Sequence, residues 1–329
     1  MAKNRGASVR RKLLNEARSS NGNYNQLLDR YFRERFLYRL SQSPQADRFI
    51  LKGASVFQVW LGNPHRTTKD VDLLGFGSND PEELKQTFSQ ILQQSYDDGI
   101  EFSEIESSVL QAGHKYEGIR LDVKGRLDTA RLKLQVDIGY GHVVTPRAKK
   151  QTVPTLLDLP SPNILVYPKE TVVAEKFEAI CDRGLENSRV KDYFDLFYIK
   201  NNFSFDSNPL QQAISNTFSM RDTPLPGDKT PVGLSDLYIE SNPTRQNQWQ
   251  KIGRQSKVDD IPAFKDAIPQ IADFLMPVVR NINQKATVTK QWQPEKGWLL
   301  VDRFQKIDPL NKKNNSRSQI ESNKDLDLE

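Results

Sequence analysis

Apolar positions recur with a helical period in two segments near the start of the chain, Val9 to Arg18 and Tyr24 to Leu40. In the second, Tyr24, Leu27, Leu28, Tyr31 and Leu40 fall along one stripe, and Asn21-Gly22-Asn23 separates the two as a turn. After Ser43-Pro44 the pattern shortens. Phe49-Ile50-Leu51 reads as a buried strand and Gly53-Ala54-Ser55 as a turn; Val56, Phe57, Val59, Trp60 and Leu61 then form a helix that Gly62-Asn63-Pro64 closes. Asp70-Val71-Asp72-Leu73-Leu74 reads as the next strand and stops at Gly75-Phe76-Gly77. Asp80-Pro81-Glu82-Glu83 starts a helix that runs to about Gln94, with aspartate as the cap and proline in the first turn.

From Ile105 to Ile138 the apolar runs alternate or become continuous, as paired strands do, with Gly125 between Gly118–Val123 and Leu132–Ile138. Four prolines between Pro154 and Pro168 mark a linker or an edge segment. Helical patterns return over Thr171 to Asp182 and Ser188 to Lys200, continue near Gln211, and recur from Ile261 to Val279. From Lys306 onward the chain is too poor in apolar groups to offset its ordering entropy. The expected organisation is basic N-terminal helices over 1–45, a mixed αβ core over 46–160, a helical domain over 161–285, and a largely disordered polar tail over 286–329.

Composition narrows the class. Of 329 residues, 36% are hydrophobic and 27% charged, which suits a globular chain with a sizeable core and extra polar sequence. No stretch is long and apolar enough to span a membrane or to form a secretory apolar region after the basic start, so a cytoplasmic, membrane-free protein is expected. Cys181 is the only cysteine, and His65, His114 and His142 are scattered, which excludes a disulfide framework and a thiolate zinc site. Residues 1–40 carry a local net charge of +7 within a total of +5. That density suits a docking surface for a polyanion, with Arg30, Arg33 and Arg35 as its centre, and equally a solvated arginine-rich helix face.

The candidate chemistry centres on Asp70 and Asp72. Residues i and i+2 of a strand project to one face, so two carboxylates meet there and call for a cation. Magnesium suits carboxylate oxygens that share a site with substrate phosphates. An Asp-x-Asp strand end can also be solvated and inert, so its context decides. Some fifteen residues earlier, Leu51-Lys52-Gly53-Ala54-Ser55 joins a strand to a helix start through a glycine turn, which suits phosphate, with Lys52 as a mobile charge. Arg66 and Thr68 precede the aspartates and are candidate partners for triphosphate oxygens. Asp137 interrupts an apolar strand and is the candidate third metal ligand, with Asp122 and Asp128 as competitors in more polar settings. Lys176 lies on one later helix; Lys191, Asp192 and Asp195 lie on another, where intrahelical ion pairs account equally well for the charges.

These blocks together resemble the AbiEii/AbiGii toxin family of nucleotidyltransferases, within the DNA polymerase beta-type superfamily. The resemblance runs from about Ser8 to Val279. Besides the segments around Lys52 and Asp70, it rests on Leu134-Gln135-Val136-Asp137-Ile138-Gly139-Tyr140-Gly141, on Tyr167 through Ala179, and on Asn187 through Leu196. His142 stands where the family pattern suggests an acid. The resemblance implies an α+β fold: a polymerase beta-type core with a mixed sheet, N-terminal helices and a helical C-terminal domain. It implies transfer of a nucleoside monophosphate from an NTP to an acceptor hydroxyl, with one or two Mg2+ ions on Asp70, Asp72 and Asp137. Lys52, Gly53, Ser55, Arg66, Thr68, Lys191 and Asp192 would bind the nucleotide, and Lys176 and Asp195 would join Asp70 and Asp72 in catalysis. It also implies an RNA acceptor, tRNA foremost, and the setting of a type IV toxin–antitoxin or abortive-infection phage-defence system with an antitoxin encoded nearby. Transfer to a protein or small molecule, and a non-catalytic binding protein with a relic cleft, are the competing readings.

Overall fold

The N-terminal segments fold as α1 (Arg5–Ser19) and α2 (Tyr24–Gln42), each started by an asparagine whose side chain accepts from backbone amides of the first turn: Asn4 from Ala7, and Asn23 from Asn25 and Gln26. The computed structural model describes residues 4–62, 66, 68–110, 118–256, 261–286 and 289–301. Instead of presenting one apolar stripe, α2 is enclosed, burying Leu28, Tyr31, Phe32, Phe36, Leu37 and Leu40.

The basic docking surface expected on α2 does not form. Arg33, Arg35 and Arg39 are only 5%, 1% and 1% exposed. Arg33 donates to the Thr68 carbonyl at 2.6 Å and Arg35 to the Pro160 carbonyl at 3.0 Å, while Arg39 forms a paired contact with Asp98. Arg30 is tied to Glu34 at 2.8 Å. A guanidinium satisfies carbonyls through several N–H groups at once, which lets it serve as internal bracing.

The central sheet takes its strands from β1 (Phe49–Lys52), β2 (Val71–Gly75), β3 (Ile100–Leu110), β4 (Gly118–Leu127), β5 (Ala130–Gly139), β6 (Lys149–Thr152) and β7 (Asn163–Val166). Their order is β3-β4-β5-β2-β1-β7-β6, with β2 parallel to β5, β1 parallel to β7 and the remaining pairs antiparallel. The connections α3 (Ser55–Leu61) and α4 (Pro81–Leu92) appear where the caps predict them. The hairpin between β4 and β5 turns at Asp128, which adopts a left-handed backbone, and Gly125 lies inside β4 opposite Leu132. The proline-rich stretch is more than a linker, because Pro162 and Pro168 bracket β7, an interior strand. The sheet thus extends past residue 160 to Val166.

The C-terminal half is built from α5 (Lys169–Arg183), α6 (Val190–Asn202), the short β8 (Phe205–Asp206), α7 (Ser207–Arg221), α8 (Asp236–Glu240), α9 (Thr244–Ser256) and α10 (Phe264–Asn283). Aromatic side chains lock it together, with Trp249 meeting Phe194, Phe197 and Phe264. Where a polar tail is expected from residue 286, β9 (Lys290–Gln293) and β10 (Gly297–Leu300) pair as a hairpin on β8, and Trp292 and Trp298 pack on Phe274. Residues 302–329 lie outside the described residues. The fold is α+β, and no helix among the described residues is long and apolar enough to cross a membrane.

Candidate active site

Strand register gathers the first group of functional side chains. Lys52 of β1 stands opposite Asp72 of β2, Asp72 opposite Asp137 of β5, and Asp137 opposite Arg120 of β4. Across four adjacent strands, two neighbouring acids are therefore flanked by a cation on either side. Asp137 gives both carboxylate oxygens to Arg120, each at 2.8 Å. Asp70 sits one residue before β2, close enough to act electrostatically on Asp72.

Asp72 is half-buried beside the Gly53 turn. Gly53 has φ +66°, and a Cβ added there would lie 1.9 Å from Asp72 Oδ2. Only glycine allows this carboxylate to lie against the turn. Alanine is expected to cost about 1–2 kcal/mol from the left-handed backbone alone, and to push Asp72 out of place. The thermal unfolding midpoint of Gly53→Ala should therefore fall.

Burial raises the Asp72 pKa above the usual aspartate range; Lys52 opposes the rise, and Asp137 and Asp70 add to it. Among the described residues no hydrogen bond or ion pair reaches its carboxylate directly. An anion so desolvated and without a donor is costly unless a cation joins it. The acidic pair of Asp70 and Asp72 thus suits a divalent ion, although no group of three potential ligands is drawn together among the described residues, and Asp137 is turned to Arg120. The Lys52 ammonium forms no ion pair among the described residues. It lies near Gly139, where a Cβ would be 3.1 Å from Nζ, and lowers the pKa of both Asp72 and Glu175.

The second group comes from α5 and α6. Lys176 bridges Asp192 at 2.6 Å and Asp195 at 2.8 Å. Burial works against its charge, but Asp192 and Asp195 outweigh burial and raise its pKa above the usual lysine value. Arg66, from the segment before β2, meets Asp195 through two bonds of 2.9 and 3.1 Å. Asp195 itself is fully buried, so it acts from beneath, holding one cation from each half of the molecule.

A third group completes the wall. Glu175 accepts from His142 Nδ1 at 2.9 Å and from the Tyr167 hydroxyl at 3.2 Å, with Arg221 of α7 at 3.4 Å. Burial opposes its charge, yet Lys52, His142 and Arg221 together hold its pKa at about 2. Because that carboxylate can only accept, the proton lies on Nδ1 of His142. A folded-state pKa below the ordinary 4.5 adds stability that is complete above that value and is lost as pH falls toward 2. Glu175→Gln should flatten the acid-unfolding profile in that window, as circular dichroism against pH would read.

These groups enclose a cleft with about 780 Å³ of empty space, partly open to solvent. Of the sequence-predicted residues, Lys52, Gly53, Arg66, Asp72, Lys176 and Asp192 line it. Ser55, Thr68, Asp70, Asp137, Lys191 and Asp195 do not. The Ser55 hydroxyl is buried with no hydrogen-bond partner among the described residues, Thr68 contacts the Asp70 carbonyl, and Lys191 lines a neighbouring hollow. His142, Tyr167, Glu175, Arg189 and Arg221 line the cleft without having been singled out for it. His142 and Glu175 carry a readable signal, since one follows the β5 glycines and the other precedes Lys176. Arg221 carries none.

A cation-rich cleft over an acidic strand edge can hold a nucleotide's phosphates and place an acceptor beside them. The family model described as "Nucleotidyl transferase AbiEii toxin, Type IV TA system" matches residues 35–273. Among solved structures, JHP933 from Helicobacter pylori is similar at 12% identity and a TM-score of 0.46, over 79% of this chain and 95% of that one. A second H. pylori structure, of a protein provisionally assigned as a nucleotidyltransferase, is similar at 12% identity and a TM-score of 0.43, over 76% and 92%. No curated protein matches the chain.

Proposed function

The chain belongs to the AbiEii family of nucleotidyl transferase toxins of type IV toxin–antitoxin systems, and from that premise we propose that it transfers a nucleoside monophosphate from a magnesium-bound NTP to an RNA hydroxyl, the tRNA 3′ end foremost. The observation that carries this reading is the register that sets Lys52, Asp72 and Asp137 side by side under a cleft walled by Lys176 and Arg66.

A divalent ion on Asp70 and Asp72, with Asp137 one strand over completing the acidic edge, would offset the charge of the triphosphate and of the departing pyrophosphate. The chain's own cations do the rest. Lys52, at the floor of the cleft, neutralises phosphate oxygens as a point charge. Lys176 and Arg66, fixed by Asp195, face the same space from the helical half and orient the nucleotide. The acceptor oxygen bonds to the α-phosphorus as the bond to the β-phosphate oxygen breaks. Pyrophosphate leaves with that electron pair, and the hydroxyl proton goes to solvent through the open cleft. A cognate antitoxin is the expected protein partner, and phage defence by abortive infection the expected setting.

The test is incubation of the full chain with total RNA and each labelled NTP in turn, with and without a metal chelator. Label is expected in RNA and is expected to vanish with chelation. Label on protein alone would redirect the acceptor assignment, and absence of magnesium-dependent NTP binding would reduce the cleft to a relic.

A further inference from the structure

The catalytic cleft does not end at Arg66. That residue, Arg189 and Asp192 also line a second, wider hollow of about 1130 Å³, so the two spaces adjoin. One wall of the hollow is the start of α6, with Ser188, Arg189 and Lys191; the other is α9. From α9 come Gln248, Lys251, Ile252 and Gln255. Their spacing of three, four and seven residues makes them one stripe of the helix, turned toward the opening.

The charge in this hollow is one-sided. Arg66, Arg189, Lys191 and Lys251 line it with a single acid, Asp192, which Lys176 holds at 2.6 Å and Arg189 meets at 3.4 Å, while Arg66 is tied to Asp195. Lys191 and Lys251 are exposed and form no ion pair among the described residues. By contrast, the arginines of α2, the denser run of positive charge in the sequence, are spent on internal carbonyls and carboxylates. Of the cations that line the hollow, Lys191 of α6 and Lys251 of α9 are therefore the ones without an ion pair among the described residues.

Resting on the nucleotidyl-transfer reading, we propose that this hollow seats the acceptor as a single-stranded polynucleotide end, its phosphates along Arg189, Lys191 and Lys251 and its terminal hydroxyl directed past Arg66 into the cleft. Two exposed lysines without an ion pair among the described residues, beside an Arg189 held only at 3.4 Å by Asp192, suit a chain of phosphates. Gln248 and Gln255 flank Lys251 and offer both donors and acceptors, which suits base edges better than the carboxylates of an acidic peptide.

The experiment uses the full chain and a fluorescent oligoribonucleotide of mixed sequence, titrated across a range of salt. Lys251→Glu should weaken binding and flatten the log–log salt dependence by about 0.7 for each single-strand phosphate contact removed. Transfer of label to RNA should fall in step, NTP binding should be unchanged, and Lys251→Arg should restore both RNA readouts. Gln255→Glu, also exposed on α9, gives a second variant that does not depend on Lys251. If the natural protein labels RNA while both variants bind it with unaltered affinity and slope, the groove assignment is wrong and the transfer reading stands. If the natural protein binds NTP but labels no RNA, the acceptor assignment itself is wrong. Displacement of the bound oligonucleotide by polyglutamate at equal charge would give the hollow to an acidic polypeptide and overturn the proposal.

Discussion

Replacing Asp72 with asparagine is expected to slow nucleotide transfer by at least about a hundredfold to a thousandfold, the loss typical of removing one preorganised charge-stabilising group, while the protein stays folded. The fold should survive because asparagine keeps the side-chain shape that fits against Gly53. The sign of the charge effect supports this. Burial raises the Asp72 pKa in the folded state, so the carboxylate is the disfavoured form there, and its cost grows as pH rises above the ordinary value of 3.8. A neutral amide escapes that cost, so the variant should unfold no earlier than the natural protein at neutral pH. Transfer of labelled NMP measured beside thermal unfolding separates the two effects. A variant that melts normally and still transfers at more than a tenth of the natural rate would remove Asp72 from the centre of the chemistry.

The largest loss of stability is expected from Asp195→Ala. This carboxylate is fully buried and holds Arg66 by two bonds and Lys176 by one. Lys176 keeps Asp192 when Asp195 is removed, whereas Arg66 is left without its two-bond partner. Breaking a pair whose carboxylate is fully buried, and so stranding a largely covered cation, costs about 3–5 kcal/mol. Transfer should fail as well, because nothing then fixes Arg66 at the mouth of the cleft. Asp195→Asn keeps hydrogen-bonding oxygen and shape without the charge, so it should lie between the two. Denaturant unfolding reads the difference, and a loss below about 1 kcal/mol for the alanine variant would mean that the pair behaves like an exposed one.

Much of this site is legible in the residue pattern, for a physical reason: strands and tight turns impose local rules. The apolar runs of β1, β2 and β5, the glycine at residue 53 and the two-residue spacing of Asp70 and Asp72 each follow from backbone geometry that a sequence displays directly. Partners across strands do not. Alternation along β5 says which face Asp137 occupies but not that Arg120 stands opposite, since that depends on the register of β4. Arg221 reaches the cleft from α7, whose own sequence carries no motif, because its position is set by how the helices pack. β7 hides among prolines that bracket its ends rather than interrupt it. The hairpin of β9 and β10 is obscured by a polar surround, with buried Trp292 and half-buried Trp298 as its anchors. The arginines of α2 show the same limit for charge, because a formal count records how many cations a chain has and not where they end up.

Those arginines also bear on the order in which the chain assembles. The carbonyl partners of Arg33 and Arg35 lie 35 and 125 residues downstream, and the backbone amide that Glu34 accepts from lies 122 residues downstream. Contacts so distant close only after the intervening loops have been drawn together. During synthesis α2 therefore emerges well before residues near 155–160, the partners that Arg35 and Glu34 need to be satisfied. Since Arg33 steadies the carbonyl of Thr68, at the doorstep of Asp70, the cleft would be among the last parts of the newborn enzyme to set.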